Sequence, residues 1–176
     1  QIKIVSEDGA ELGSGELGEV AIKSTCNFRC YLKNEEATNE VLDDEGWFRS
    51  GDVGIIDEEG FLYIKDRIKD IVIRGGENIA CLEIEAAIYE HPSVREASVF
   101  GLPDERLGEK LATRISLNPG AELSQAELTS FLADKIAKFK IPEYFWCQEE
   151  ELPKVAAGKI AKKQMREEAI TELGLG

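Results

Sequence analysis

A chain of 176 residues, 43% of them hydrophobic and with a formal net charge of −14, can bury the core of one full domain and a substantial part of another. The acidic balance argues against a nucleic-acid partner, because a phosphate backbone is gripped by clustered Lys and Arg. No apolar stretch approaches the roughly 20 residues that span a bilayer, so no transmembrane segment is expected. QIKIVSEDG at the start lacks the charged-then-apolar order of a secretion signal, and the expected location is cytoplasmic.

The chain opens at Gln1 directly in a strand pattern, as a piece of something longer would. Alternating apolar residues predict strands over Ile2 to Val5, Leu17 to Ile22, Val53 to Asp57 and Phe61 to Lys65. The last two are joined by EEG, with Gly60 free to take the positive φ of a hairpin turn. DRIKD at 66–70 is a charged knot that reads either as a hinge or as a solvated turn. Beyond it the pattern mixes strand and helix. DIVI is a strand running into RGGEN, whose paired glycines allow close backbone approach. Cys81, Ile84 and Ile88 then recur at helical spacing up to Pro92. ASVFG and KLATRISL read as strands. Ser124 and Glu127 form an S-x-x-E capping box for a helix with Leu128, Phe131, Leu132 and Ile136 on one stripe. YFWC after Pro142 reads as an aromatic strand, and Ala161, Met165, Ala169 and Leu173 as the buried face of a last helix.

The four cysteines, Cys26, Cys30, Cys81 and Cys147, have neither CxxC spacing nor a nearby histidine, so they read as buried or half-buried thiols of a reducing compartment rather than metal ligands. His91, the only histidine, precedes Pro92 at a helix end and reads as structural, which leaves Ser-His or Cys-His catalysis poorly supported. Between 134 and 166, Lys135, Lys138, Lys140, Lys154, Lys159, Lys162, Lys163 and Arg166 outnumber the carboxylates. That surplus is either a local anion-binding face or a solvated helix face. Lys159 lies among small residues ahead of the last helix, with no obvious carboxylate partner.

Three stretches, GWFRSGD at 46–52, DRIKDIVIRGGEN at 66–78 and LPKVAAGKI at 152–160, resemble in order and spacing the C-terminal motifs of the adenylate-forming (AMP-binding) superfamily. This group contains acyl- and aryl-CoA synthetases, luciferases and adenylation domains of peptide synthetases. Looser similarity includes EEAT at 35–38 and GLPDERLGE at 101–109, and GGEN looks most like the CoA ligases.

The resemblance implies an α+β chain: residues 1–68 as the β-rich closing subdomain of a large N-terminal domain, and 69–176 as a small mobile α+β C-terminal domain. It implies the C-terminal part of an acyl-CoA synthetase, of the fatty-acid–CoA ligase kind, whose missing N-terminal domain carries the phosphate loop and the carboxylate pocket. ATP, Mg2+ and CoA would serve the full-length enzyme, with a carboxylic acid as the other substrate, and this segment alone is expected to be inactive. Alternatives are a stand-alone CoA- or nucleotide-binding module and a peptide-synthetase adenylation domain. The tapering end TELGLG, without a carrier domain, speaks for a free-standing ligase.

Residue by residue, the resemblance makes Asp52 a ribose-binding carboxylate, able to accept from both hydroxyls, although an Asp after Gly51 also suits a turn. Ser50 replaces the usual threonine and keeps the hydroxyl. Arg67 matches a nucleotide-binding arginine, or else pairs with Asp66 or Asp70. Lys69 matches the hinge position. Gly75, Gly76 and Glu77 match a turn that approaches the pantetheine passage, with no proton-transfer role for Glu77. Lys138 and Lys140 lie where the CoA nucleotide often meets this domain, with Phe139 as a weaker stacking candidate. Lys159 resembles the catalytic lysine that bridges the substrate carboxylate and the α-phosphate, despite Val155-Ala156-Ala157 where a hydroxyl residue is common. Its partners would be substrates.

Overall fold

Short alternating runs and sharp loops dominate the first 69 residues. The computed structural model describes residues 1–175. Its first unit, Gln1–Lys69, holds a four-stranded antiparallel meander of β1 (Ile2–Val5), β2 (Gly18–Ile22), β3 (Phe48–Ile56) and β4 (Leu62–Arg67). Ile4, Val5, Val20, Ala21 and Val53 supply its buried apolar residues. The expected hairpin closes β3 onto β4: Asp57 Oδ1 accepts the backbone N–H groups of Glu59 (3.0 Å) and Phe61 (2.8 Å), and Gly60 takes φ 86°. DDEGW repeats this construction, Asp43 Oδ1 accepting from Glu45 and Trp47.

β3 runs further back than its own alternation shows. Phe48 and Arg49 pair with Ile22 and Ala21 across a register shift in β2. There Glu19 binds Arg49 Nε at 2.6 Å and accepts the Gly51 N–H at 2.9 Å. A helix that alternation did not reveal, α1 (Glu35–Val41), is capped by Asn34 and buries only Thr38. It lacks the apolar stripe by which sequence reading finds helices.

The second unit, Asp70–Gly176, is built on β5 (Val72–Arg74), β6 (Glu77–Ile79), β7 (Val94–Asp104), β8 (Gly108–Leu117) and β9 (Tyr144–Gln148). β8 carries β7 along one edge; along the other it pairs with β9 in parallel and, at Gly108, with Arg74 of β5. The helices are α2 (Cys81–Tyr89), α3 (Gln125–Ala133) and α4 (Lys162–Leu173). Successive side chains of β7 point to opposite faces. Ala97 and Val99 accordingly join Ile84 and Ile88 of α2 and Leu128 and Leu132 of α3, whereas Phe100 and Leu102 join Met165 and Ala169 of α4. Burial on both faces explains why β7 is almost continuously apolar from Ala97 to Leu102.

Several sequence expectations change here. Leu173 is 37% exposed, and the half-buried Ile170 packs in its place beside Met165 and Ala169. α3 ends at Ala133, so Ile136 is buried from beyond the helix. RGGEN runs into β6 (Glu77–Ile79), a strand too short for alternation to register. Of the thiols only Cys81 is buried; Cys26, Cys30 and Cys147 are exposed. His91 accepts the Ser93 N–H through Nδ1 and meets the Phe131 ring edge-on at 4.8 Å.

Candidate functional site

The singled-out residues fall into three sets. In the first unit the β3–β4 register places Asp52 directly opposite Arg67, and Arg67 Nε donates to Asp52 Oδ1 at 3.0 Å. Ser50 Oγ accepts the Asp52 N–H at 3.1 Å, and Gly51 takes φ 74°, which turns the strand there. Arg67 therefore pairs with Asp52, while Asp66 is 6% exposed and accepts the Arg67 backbone N–H at 2.7 Å. The Arg67 side chain is 60% exposed, so its guanidinium keeps donors free. Lys69 follows in the 3-10 turn Ile68–Asp70, the last residue of this unit.

The second set joins positions more than sixty residues apart. Arg74 pairs with Glu77 across β5 and β6, leaving Gly75 (φ 61°) and Gly76 (φ 88°) as a two-residue turn. Two successive positive φ values define the turn type that glycine pairs favour. Arg74 reaches the Lys138–Lys140 segment, donating to the Phe139 carbonyl at 3.1 Å and to Glu143 at 2.6 Å. The glycine turn and the basic segment are thus held together by an arginine. Lys140 donates to both carboxylate oxygens of Glu83 at 2.7 Å. Lys138 Nζ has no such partner among the described residues.

Lys159 belongs to the third set. Lys154 and Ile160 form an antiparallel bridge, the Val155 N–H donates to the Lys159 carbonyl at 2.8 Å, and the Gly158 N–H donates to the Val155 carbonyl at 2.8 Å. With Gly158 at φ 77° this is a three-residue hairpin loop. Val155 to Lys159 are exposed, and Lys159 Nζ makes no hydrogen bond or ion pair among the described residues. Below the loop, Lys154 binds Glu96 at 2.8 Å and Glu151 at 2.7 Å. Lys162, just beyond it, binds Glu85 at 2.9 Å. Burial opposes the charge on Glu96, but hydrogen bonds from Lys154 and from the Leu152 N–H hold its carboxyl below the ordinary glutamate value. Glu151 and Glu96 raise Lys154 above the ordinary lysine value. Burial likewise opposes Lys162, yet Glu85 and Asp70 hold it raised.

The basic surplus of 134–166 is consequently not one anion-binding face. Lys135, Lys140, Lys154, Lys162, Lys163 and Arg166 all sit within ion-pair distance of carboxylates from elsewhere in the fold or the next helical turn. Lys138 and Lys159 are the two left open among the described residues. Sequence reading missed Glu83, Glu85 and Glu96, the carboxylates that sort Lys140, Lys162 and Lys154; each lies far from its lysine in the chain, and no motif marks it. Among the described residues no three His, Cys, Asp or Glu side chains are grouped to hold a metal ion, and none of their helices is long and apolar enough to cross a membrane.

Residues 83–159 match the AMP-binding enzyme C-terminal domain. Over 167 residues the chain is 41% identical to the long-chain-fatty-acid–CoA ligase FadD13 of Mycobacterium tuberculosis, covering 95% of this chain and 32% of that protein. ATP-bound MatB from Rhodopseudomonas palustris matches with a TM-score of 0.87 and 34% identity, over 96% of this chain and 33% of the other. The o-succinylbenzoate CoA synthetase MenE of Bacillus subtilis, in complex with its acyl-adenylate intermediate, matches with a TM-score of 0.87 and 36% identity, over 94% of this chain and 33% of the other. The chain spans about a third of the length of these relatives. By sequence and by fold it is similar to the C-terminal part of the adenylate-forming acyl-CoA synthetases.

Proposed function

We propose that the chain is the C-terminal part of an ATP-dependent carboxylate–CoA ligase that works with a preceding domain of the same polypeptide. In the first half-reaction a carboxylate oxygen attacks the α-phosphorus of ATP and pyrophosphate leaves, giving an acyl-adenylate. In the second, the CoA sulfur attacks the acyl carbon and AMP leaves, giving the thioester. Asp52 accepts from the ribose hydroxyls, and Arg67, already oriented by Asp52, points its remaining donors at the ribose and phosphate region. Lys159 bridges the substrate carboxylate and the α-phosphate, where a fixed cation stabilises the charge that develops at phosphorus. Lys69 is the position about which the second unit turns between half-reactions. Gly75 and Gly76 leave room for pantetheine beside Glu77, and Lys138, with Lys140 held by Glu83, faces the CoA phosphates.

A single observation carries this reading: Lys159 is an open cation where a tight hairpin loop closes, and Lys154 and Lys162 on either side of it are neutralised. The ATP-bound and acyl-adenylate-bound neighbours support the adenylation step. Mg2+ would accompany the ATP phosphates, but the described residues offer it no ligand set, and no step is assigned to it. The similarity to a long-chain-fatty-acid ligase favours a fatty acid; the similarity to an o-succinylbenzoate enzyme makes a panel of acids necessary. ATP and CoA are both supplied in the cytoplasm, the compartment expected for the reaction.

The test is ATP–pyrophosphate exchange by the full-length enzyme over a panel of carboxylates, for wild type and Lys159→Ala, with thioester formation from pre-made acyl-adenylate measured in parallel. Exchange is expected to fall about 100- to 1,000-fold while the second step survives. Absence of both steps with every acid would favour a binding module instead.

A further inference from the structure

The side chain of Lys159 cannot aim itself. Val155 to Lys159 are exposed, and no side-chain hydrogen bond or ion pair among the described residues ties that tip to the rest of the unit. A lysine has four rotatable side-chain bonds and is costly to order. What the fold can set is the direction of the hairpin stem.

The stem is clamped by a carboxylate from a distant strand. Glu96 rises from β7 beside a register shift between Val94 and Glu96, with its side chain 17% exposed. One oxygen accepts the Leu152 N–H at 2.9 Å, and the other holds Lys154 Nζ at 2.8 Å. Leu152 is itself 2% exposed among Phe100, Leu102 and Met165. A bidentate grip on two positions of one short segment restrains rotation as well as translation, which a single contact would not. Across the stem, the Ala161 N–H donates to the Pro153 carbonyl at 2.7 Å, and Lys162 is anchored on Glu85. Of these anchors, Glu96 alone joins the backbone and a side chain of the segment that leads into the loop.

We propose that Glu96 is a positioning residue for adenylation, fixing the stem so that Lys159 meets the α-phosphate in register. This rests on the assignment of Lys159 to the adenylation step. Glu96 touches no substrate; it acts through the hairpin. Reacting groups displaced by about 1 Å can lose on the order of 100-fold in rate, so a loosened stem slows the step that uses Lys159. The thioester step does not use Lys159 and keeps its rate.

The experiment uses the full-length enzyme with Glu96→Gln, which keeps an acceptor for the Leu152 N–H but removes the β7 charge beneath Lys154, leaving Lys154 only the exposed Glu151 three residues away in the chain. Expected is a fall of about 10- to 100-fold in the kcat of ATP–pyrophosphate exchange, with ATP KM and thioester formation from pre-made acyl-adenylate close to wild type. The surviving thioester step shows that the variant is folded. Lys154→Arg retains the ion pair and should restore near-normal exchange, whereas Lys154→Gln should reproduce the loss. In a Lys159→Ala background Glu96→Gln should cost nothing more, because residues acting through one group are non-additive. Unchanged exchange in Glu96→Gln, or an equal fall in both half-reactions, overturns the proposal while leaving Lys159 in place. Normal exchange in Lys159→Ala overturns the assignment of Lys159 and the role of Glu96 with it.

Discussion

Asp52 and Arg67 lie fifteen residues apart, yet the register of one hairpin sets them directly opposite each other at 3.0 Å. Their side chains are 32% and 60% exposed, and an ion pair so open to water contributes at most about 1 kcal/mol to stability. Its use is orientation. Asp52→Asn should therefore leave the melting temperature nearly unchanged while raising KM for ATP in the full-length enzyme about tenfold or more, as loss of a charged hydrogen bond predicts. A large drop in melting temperature with unchanged KM would make the pair structural. Sequence alone could name Asp52 and Arg67 only by resemblance, with Asp66 and Asp70 as competing partners for the arginine. The choice among them came from strand pairing, and Lys159, by contrast, stood out early because its own segment holds no carboxylate.

At the scale of elements, legibility followed local chemistry. The 57–61 turn and the helix opened by Ser124 were readable because each is closed by side chains within four residues of one another. The Ser124 hydroxyl accepts the Glu127 N–H, and the Glu127 carboxylate returns to the Ser124 backbone N–H at 2.9 Å. Losing the Ser124 cap by Ser124→Ala should cost about 1 kcal/mol at neutral pH, read as a lower urea midpoint. Hydrogen bonds from the Ser124 side chain and backbone hold Glu127 below the ordinary glutamate value. Its contribution is therefore present above that ordinary value and is lost as the pH falls through the folded one. The gap between wild type and Ser124→Ala should accordingly narrow in acid; a gap that stays constant would show that the carboxylate takes no part. α1 and β6 escaped sequence reading for opposite reasons: α1 buries one residue only, and β6 spans three, too few for either period to show.

For the molecule as a whole, two compact units divide between Lys69 and Asp70, within the charged 66–70 segment. Each has its own sheet and core residues. Because the chain spans about a third of its relatives, the purified 1–176 segment is expected to show no ATP–pyrophosphate exchange with any acid, although it carries Asp52, Arg67 and Lys159. Exchange above background would mean that these residues and their scaffold suffice for adenylation.

The amino-acid sequence by itself determined the strands and helices with clear periodicity, the glycine turns, the capping box and, through three ordered motifs, the family. These depend on neighbours a few residues apart, whose interactions the local order of side chains specifies. Only the tertiary structure decided which charges remain open. Lys140, Lys154 and Lys162 meet Glu83, Glu96 and Glu85 across separations of about sixty to eighty residues, and an ion pair of that kind exists only after packed strands and helices bring its members within a few ångströms. The −14 total could not reveal that sorting; folding neutralised most of the basic cluster and left Lys138 and Lys159 open among the described residues.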